Sequence, residues 1–313
     1  MKQKIVVVVL LAASITYFGG CSVLTESQVK EVQRFAKAGQ SYGTLPGTVI
    51  IAYGEISAED RLLGVPARTF SAGDPSADQA LDSMAAARKA IQNFNEVANQ
   101  ADDALKIIDT YADALVELTS DQFTKDLDES AIAFGKAIDK GIDKYNKLYD
   151  KKLSLVGEVV AQVIRGVGGI YIRHKQSVFL REYVQKADPV VQELMNDVER
   201  IISGNILLNL EELQKRLKND ARNLMNQRKS IDLATAVRVN ETFTRLELTE
   251  GLAKSALASA QRYRAAHHAL LEATKEKHDL QSQIAEITAF ANEVQAAQKL
   301  KNKYSKDDKK EKK

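Results

Sequence analysis

The side chains that could do chemistry in this sequence are few, and the most suggestive group is rich in histidine. His267, His268, Glu272 and His278 lie close together in the chain. On a helix, His268 and Glu272 share a face and could give a metal two ligands, whereas zinc sites take three or four from the protein. His267 falls on the apolar side of the helix pattern, and His278 lies elsewhere on its surface. We therefore predict no metal site and no cofactor.

A row of carboxylates forms the second group with chemical potential. Asp102, Asp109, Asp113 and Glu117 lie along one side of a predicted helix. Paired carboxylates can act as general acid and base, but no motif supplies them with a pocket or a histidine. We interpret them as a solvated helix face. The chain also has no phosphate-binding glycine loop and no nucleophile elbow, so we predict no catalytic residues and no enzyme activity.

The single cysteine, Cys21, follows a segment with the features of a signal peptide. Lys2 and Lys4 precede an apolar run from Ile5 to Phe18, which is shorter than the roughly 20 residues that span a bilayer. We therefore predict that the segment is cleaved. Because Cys21 is the only cysteine, no disulfide can form within the chain.

The residues Phe18-Gly19-Gly20-Cys21 resemble the lipobox of bacterial lipoproteins. The resemblance covers about the first 22 residues, and Phe18 stands where the pattern prefers an aliphatic residue. It implies that Cys21 is lipidated, with palmitate among its acyl chains, and becomes the new N-terminus. Ser22, in place of Asp, implies sorting to the outer membrane of a Gram-negative cell envelope. We expect the body of the protein to face the periplasm, held at the membrane by its lipid.

The remainder of the sequence predicts an all-α fold, an elongated bundle of long antiparallel coiled-coil-like helices. Apolar and alanine residues recur at alternating spacings of three and four, and the chain has only four prolines. A net charge of +2 gives no reason to expect nucleic-acid binding. The predicted organisation is a signal peptide (1–20), a lipid-anchored segment with short helices (21–75), a long-helix bundle (76–300) and a disordered lysine-rich tail (301–313).

The helix boundaries come from breaks in this spacing and from proline and glycine. Gly39, Gly43 and Gly47 are expected to end the first short helix. Asp74-Pro75 and Asp188-Pro189 are each expected to start a long helix, and Ser203-Gly204 to bend one. The predicted helices are Thr25–Ala38, a second through Leu63, one from Pro75 to Leu118, one from Asp121 to Lys186, one from Asp188 onward, and one from about Ser230 to Leu300.

The most apolar stretch, Leu153–Ile172, lies at the centre of the chain. Glu158 and Arg165 would each cost about 2.5 to 3.5 kcal/mol near the centre of a bilayer, so we predict a helix buried among others. In composition, this apolar and glycine-rich stretch also resembles the membrane-entering element of helical pore-forming toxins related to cytolysin A. Under both interpretations the apolar side of the segment consists of Val156, Val160, Val163, Val167 and Ile170.

These observations favour a non-catalytic function. The leading hypothesis is an outer-membrane-anchored periplasmic lipoprotein, a helical scaffold or interaction module that holds a protein partner near the membrane. The alternative is a membrane-active protein that inserts residues 153–172. The sequence identifies no particular partner and leaves a homo-oligomer open.

Substitution of Cys21 tests the lipidation hypothesis directly. We expect Cys21→Ser to abolish incorporation of labelled palmitate and to leave the uncleaved precursor, because the thiol is the atom that would carry the lipid. The measurement is metabolic labelling together with the mass of the product. Ser22→Ala is the matched control and should still be labelled; equal labelling of the Cys21→Ser protein would refute lipidation at this residue.

Overall fold

The computed structural model describes residues 24–63, 75–120, 127–157, 172–227, 233–275 and 280–311, and every regular element within these ranges is helical. The prediction of an all-α protein is therefore confirmed. The elements are α1 (Glu26–Tyr42), α2 (Leu45–Leu63), α3 (Pro75–Leu118), α4 (Leu127–Tyr149), α5 (Ile172–Arg200), a π-helical stretch (Ile201–Leu207), α6 (Leu208–Gln227), α7 (Leu233–Lys275) and α8 (Leu280–Glu311).

Local sequence signals account for several helix ends. The Thr25 hydroxyl accepts a hydrogen bond from the Gln28 backbone N–H, and the Gln28 side-chain oxygen accepts one from the Thr25 backbone N–H; this capping box starts α1. Pro75 stands at the first position of α3, where its missing N–H leaves no helical bond unmade. The Ser203-Gly204 pair, predicted to bend a helix, lies in the π-helical stretch that joins α5 to α6.

The prediction that a helix starts at Asp188-Pro189 is wrong, because Pro189 lies inside the continuous helix α5. A proline in a helix removes one backbone hydrogen bond and crowds the preceding turn. Contacts to α7 hold the helix on both sides of this defect: Arg181 donates to the carbonyl of Thr274 at 2.6 Å, and Arg264 donates to Gln192 at 3.0 Å. Tertiary packing therefore overrides the local signal.

The predicted helix from Asp121 to Lys186 is also interrupted. The helix α4 ends at Tyr149, Asp150 has a left-handed φ of 50°, and residues 151–156 are not helical. Lys151 then forms ion pairs with Glu193 and Asp197 of α5. The reversal after α4 therefore depends on a backbone conformation that the helical periodicity does not signal.

The long helix predicted to end near Leu300 is two helices, α7 and α8. Arg262 pairs with Glu286, and Ser255 donates to Glu293, so the two helices run antiparallel. The helix α8 also continues to Glu311, through part of the tail that we predicted to be disordered. Tyr304 is buried there, and this burial explains why a lysine-rich sequence stays helical.

The buried core is densest where five helices meet around aromatic rings. Phe35 of α1 packs against Tyr263 of α7 at 5.0 Å between ring centroids and against Phe290 of α8 at 5.7 Å. Tyr111 of α3 and Tyr183 of α5 stack beside them at 5.2 Å. All five side chains are almost fully buried. Such aromatic pairs stabilise the packing by about 0.5 to 1.5 kcal/mol each beyond the area they bury.

Glycines allow α1 and α2 to pack closely against neighbouring helices. A side-chain carbon at Gly54 would lie 2.5 Å from Phe94 Cβ, and one at Gly47 would lie 2.1 Å from Asp102 Oδ1. Because Gly47 meets Asp102 whereas Gly54 meets Phe94, α2 and α3 run antiparallel. Gly39, which we predicted to break α1, instead lies within it against Tyr263. These glycines therefore serve packing rather than chain reversal.

An ion-pair network joins α2, α7 and α8 some distance from the aromatic rings. Arg245 is only 9% exposed and donates to both Glu55, at 3.1 Å, and Glu59. The Tyr304 hydroxyl also donates to Glu55 and lies 3.3 Å from Arg245. A buried guanidinium is tolerated only when its donors have acceptors, and these contacts provide them.

Two glycine substitutions test the packing account. Gly54→Ala should lower the free energy of unfolding by about 1 to 3 kcal/mol, because the added carbon overlaps the backbone-proximal atoms of Phe94. Gly251→Ala should raise it by about 0.5 to 1 kcal/mol, because no atom lies within 4 Å and alanine favours a helix. Urea denaturation of both variants is the measurement. Equal effects of the two substitutions would contradict this explanation.

Candidate functional site

Most of the site residues predicted from the sequence lie outside the described residues. Cys21 precedes the described residues, which begin at residue 24, and α1 begins at Glu26. Val156 is described and is 7% exposed, whereas the other predicted apolar positions, Val160, Val163, Val167 and Ile170, are outside the described ranges. Within those ranges, we find no helix with an apolar stretch long enough to cross a membrane.

The start of the apolar segment is attached to α4 by backbone hydrogen bonds. Asn146 both accepts from the Leu153 N–H and donates to its carbonyl, each at 2.9 Å. The Asp139 carboxylate accepts from the N–H groups of Val156, at 3.0 Å, and Gly157, at 2.7 Å. These side chains satisfy backbone groups that no helix partner satisfies. Residues 153–157 therefore fold back along α4.

A triad of polar side chains lies at the aromatic centre of the core; two of them, His267 and Tyr111, are buried, and the third, Asp188, is 28% exposed. His267 of α7 is fully buried; its Nδ1 lies 2.9 Å from Asp188 Oδ1 and its Nε2 lies 2.8 Å from the Tyr111 hydroxyl. Because an ionised carboxylate only accepts, Nδ1 carries the proton, and Nε2 accepts from the tyrosine. The neutral imidazole therefore has both nitrogens satisfied.

The protonation of this triad follows from its burial. Burial lowers the pKa of His267 below its ordinary value, although the Asp188 carboxylate opposes the shift. The hydrogen bond from His267 lowers the pKa of Asp188. Burial raises the pKa of Tyr111 well above its ordinary value. At neutral pH the stable state is thus a carboxylate, a neutral imidazole and a neutral phenol.

A carboxylate, an imidazole and a hydroxyl follow one another in this triad, as in enzyme sites where an oriented base activates a nucleophile. Here the nucleophile position is Tyr111, which is 2% exposed. The rings of Phe35 and Tyr183 cover the imidazole and the phenol at 6.0 and 5.2 Å between centroids. A substrate would have to displace the core to reach the hydroxyl. The triad therefore fixes helix positions and is not accessible for catalysis.

Of the histidine-rich group, His278 lies outside the described residues, and the structure describes His267, His268 and Glu272. Both ring nitrogens of His267 are engaged by protein groups, and His268 next to it is exposed. No cluster of three or more potential metal ligands occurs among the described residues.

Two of the carboxylates that we interpreted as a solvated face are partly buried. Asp102 accepts a hydrogen bond from the backbone N–H of Gly47, near the first turn of α2, and burial raises its pKa. Burial also raises the pKa of Asp109, which packs against Gly43. A carboxylate at a helix N-terminus is favoured by the helix dipole. The solvated-face interpretation is thus wrong for these two residues, whose contacts position α2.

One interior void among the described residues is too small for a substrate. A void of about 20 Å³ lies between α2, α3, α4 and α5, and its accessible walls are apolar. That volume holds about one water molecule, whereas small-molecule sites measure about 300 Å³ or more. The void is therefore a packing defect beside the π-helical stretch rather than a ligand pocket.

A larger concave feature is an open groove of about 810 Å³ between α1 and α8. These two helices run parallel, since Arg34 donates to Thr288 and Gln298 donates to the Ser41 carbonyl. Alanine and valine line its floor. The lining residues are Lys30, Gln33, Arg34, Lys37, Ala38 and Ser41 of α1, and Thr288, Ala291, Asn292, Val294, Gln295 and Gln298 of α8.

The groove has a positive wall and a neutral polar wall. The positive wall consists of Lys30, Arg34 and Lys37, spaced by four and three residues along α1, and the lining contains no carboxylate. Lys30 pairs with Glu26 at 3.1 Å, and Arg34 pairs with Glu31 at 3.2 Å; the Lys30 pair is largely solvent-exposed. Exposed pairs of this kind contribute about 0 to 1 kcal/mol. Lys30 and Lys37 are therefore available to an anionic partner, whereas Arg34 already contacts Glu31, which is 13% exposed, and Thr288.

Comparison of the chain with protein-family models, with curated proteins and with solved structures finds no match.

The groove was not recognised in the sequence, although part of its signal is visible there. Lys30, Arg34 and Lys37 recur at helical spacing on α1. Their neighbours in the groove come from α8, more than 250 residues later in the chain, as in the contact of Arg34 with Thr288. Because no sequence pattern pairs α1 with α8, only the tertiary structure assembles this surface.

The buried histidine predicts a specific pH dependence of stability. Since its pKa in the folded protein is below the ordinary value of about 6.5, the unfolded chain binds the proton first as the pH falls. The contribution of neutral His267 is complete above about pH 6.5 and declines below it. The lowered pKa of Asp188 also makes stability fall with pH, but at a more acidic pH, below about 4.

We expect His267→Gln to lower the free energy of unfolding at neutral pH by about 1 to 3 kcal/mol, because Tyr111 and Asp188 lose a buried partner. The same variant should lose less stability than the wild type between about pH 7 and pH 5. Urea denaturation at both pH values is the measurement. His268→Gln, at the exposed neighbour, is the control and should keep the wild-type slope; an unchanged slope in His267→Gln would disprove the assignment.

Proposed function

We propose that this protein is an outer-membrane lipoprotein, anchored through Cys21, that acts as a non-catalytic helical scaffold and holds a protein partner in the groove between α1 and α8. The observation that carries the proposal is the groove itself. It combines three cations on one wall, amide and hydroxyl groups on the other, and a lining without carboxylates. This arrangement suits recognition at a surface rather than a chemical step.

The position of the groove in the chain supports a role close to the membrane. Helix α1 begins at Glu26, five residues after Cys21. A chain spans at most about 3.3 to 3.6 Å per residue, so with lipid on Cys21 the start of α1 lies within roughly 17 Å of the attachment point. Lys30 follows one helical turn later. A partner in the groove would thus be held next to the outer membrane.

The character of the buried polar groups supports a non-catalytic role. The triad of His267, Asp188 and Tyr111 satisfies its own hydrogen bonds inside the core. Arg245 and its acceptors do the same at the contact of α2, α7 and α8. Groups poised for catalysis would instead converge on a space that a substrate can enter. These networks favour a fixed body that displays a binding surface.

Site-specific photo-cross-linking in cells tests the proposal. A photoreactive residue at Asn292 or Gln295, both exposed in the groove, should form an adduct with the same protein at both positions. The control position is Gln100, which is exposed on α3 and outside the groove, and it should not form that adduct. Cys21→Ser should reduce the adduct, because the partner is expected at the membrane.

Two results would contradict the scaffold proposal. One is the absence of a protein adduct at both groove positions when the lipidated chain is present in the outer membrane. The other is release of dye from liposomes by the purified chain, which would favour the membrane-active alternative and insertion of residues 153–172.

A further inference from the structure

We infer that the occupant of the groove is an acidic α-helix of the partner protein, with carboxylates spaced by four and three residues facing α1. This inference rests on the proposed function, because it names the chemistry of the partner that the scaffold would hold. The groove supplies the reasons: its walls are two parallel helices, its floor is made of small residues, and its charge has one sign.

The shape of the groove suits a third helix. Contacts between Arg34 and Thr288 and between Gln298 and the Ser41 carbonyl keep α1 and α8 side by side in the same direction. Helices pack by placing side chains of one into the groove between the side chains of another, about 8 to 10 Å apart. Ala38 and Ala291 on the floor permit such an approach. The contacts along α1 extend from Lys30 to Ser41, about 16 Å or three helical turns.

The spacing of the cations indicates the sequence pattern of that helix. Lys30, Arg34 and Lys37 share one side of α1 over two turns. Carboxylates at the same spacing on an adjacent helix would each face a cation, as flanking charges do in coiled coils. Lys37 forms no ion pair with any residue that the structure describes and is the first position for such a contact. Complementary charge of this kind sets partner choice and association rate.

The amide groups on the α8 wall and the lack of aromatic residues in the lining favour a helix over nucleic acid as the occupant. Asn292 and Gln295 both donate and accept hydrogen bonds, so they suit the polar flank of a helix. No aromatic residue lines the groove. Sites for single-stranded nucleic acid typically have aromatic side chains on which the bases stack. The groove is also a surface feature of about 810 Å³ rather than an enclosed cavity, which suits a large occupant better than a small anion.

The test uses the full mature chain with Cys21→Ser and a synthetic helix as the probe. The probe has about 21 residues, or roughly 30 Å of helix, with glutamate at the four-and-three spacing, and a second peptide carries glutamine at the same positions. Fluorescence anisotropy measures binding at low and high salt. We expect the glutamate peptide to bind about tenfold more tightly than the glutamine peptide at low salt, the order expected of three exposed ion pairs, and to lose that advantage at high salt.

Matched variants of the protein locate the binding site. The triple variant Lys30→Gln, Arg34→Gln, Lys37→Gln should lose the advantage of the glutamate peptide. The control, Lys136→Gln, Lys140→Gln, Lys147→Gln, removes the same charge from exposed lysines of α4 and should keep it. Circular dichroism and thermal unfolding verify that both variants are folded, and if the triple variant is not, Lys37→Gln alone replaces it, with a smaller loss expected.

Three results would overturn the inference: equal binding of the two peptides, binding of neither peptide, and equal loss of binding in the groove and control variants. None of these results concerns the adduct formed in cells. A groove adduct with a neutral or basic partner segment would therefore leave the scaffold proposal standing while the acidic-helix inference fails. If no adduct forms in cells but the glutamate peptide is preferred, the groove binds an acidic helix and the scaffold proposal fails.

Discussion

The hydrogen bonds of His267 fix how the helices of this protein are aligned along one another. Asp188 belongs to α5, His267 to α7 and Tyr111 to α3, so a shift of any of these helices along its axis would leave a buried polar group without a partner. Apolar contacts alone would resist such a shift less, because hydrophobic burial has no direction. The surrounding rings of Phe35 and Phe290 extend the same level of the core to α1 and α8. Five of the helices are thereby held in a single register.

Small residues determine how closely the helices approach around that centre. Gly54 brings α2 against α3 at a distance from Phe94 Cβ that a side chain would prevent, and Gly47 leaves room for the Asp102 carboxylate. Alanines fill much of the remaining core, including fully buried positions on α7. Short side chains bury little apolar area each, so close contact of backbones supplies the packing instead. Polar contacts join further helices: Arg245 of α7 donates to Glu55 of α2, and Tyr145 of α4 donates to Asp197 of α5.

The distribution of polar groups between interior and surface bears on function. Inside, Asp188, His267 and Arg245 are bound to protein partners. At the surface, the groove of α1 and α8 presents three cations, of which Lys30 pairs, among the described residues, only with the exposed Glu26. These features support the proposal that the protein binds another protein. With a lipid on Cys21, that groove would begin within a few helical turns of the membrane.

The sequence alone determined the helical nature of the protein, because spacings of three and four, few prolines and capping residues act through neighbours in the chain. It predicted α3 from Pro75 to Leu118 correctly for that reason. Tertiary structure decided the rest. Pro189 stays inside α5 because contacts to α7 compensate for its defect, and the helix predicted up to Leu300 folds back as α7 and α8 although no proline or glycine lies between them. The groove likewise joins residues more than 250 positions apart. Such pairings depend on which apolar faces gain most by being buried together, and local spacing does not encode that choice.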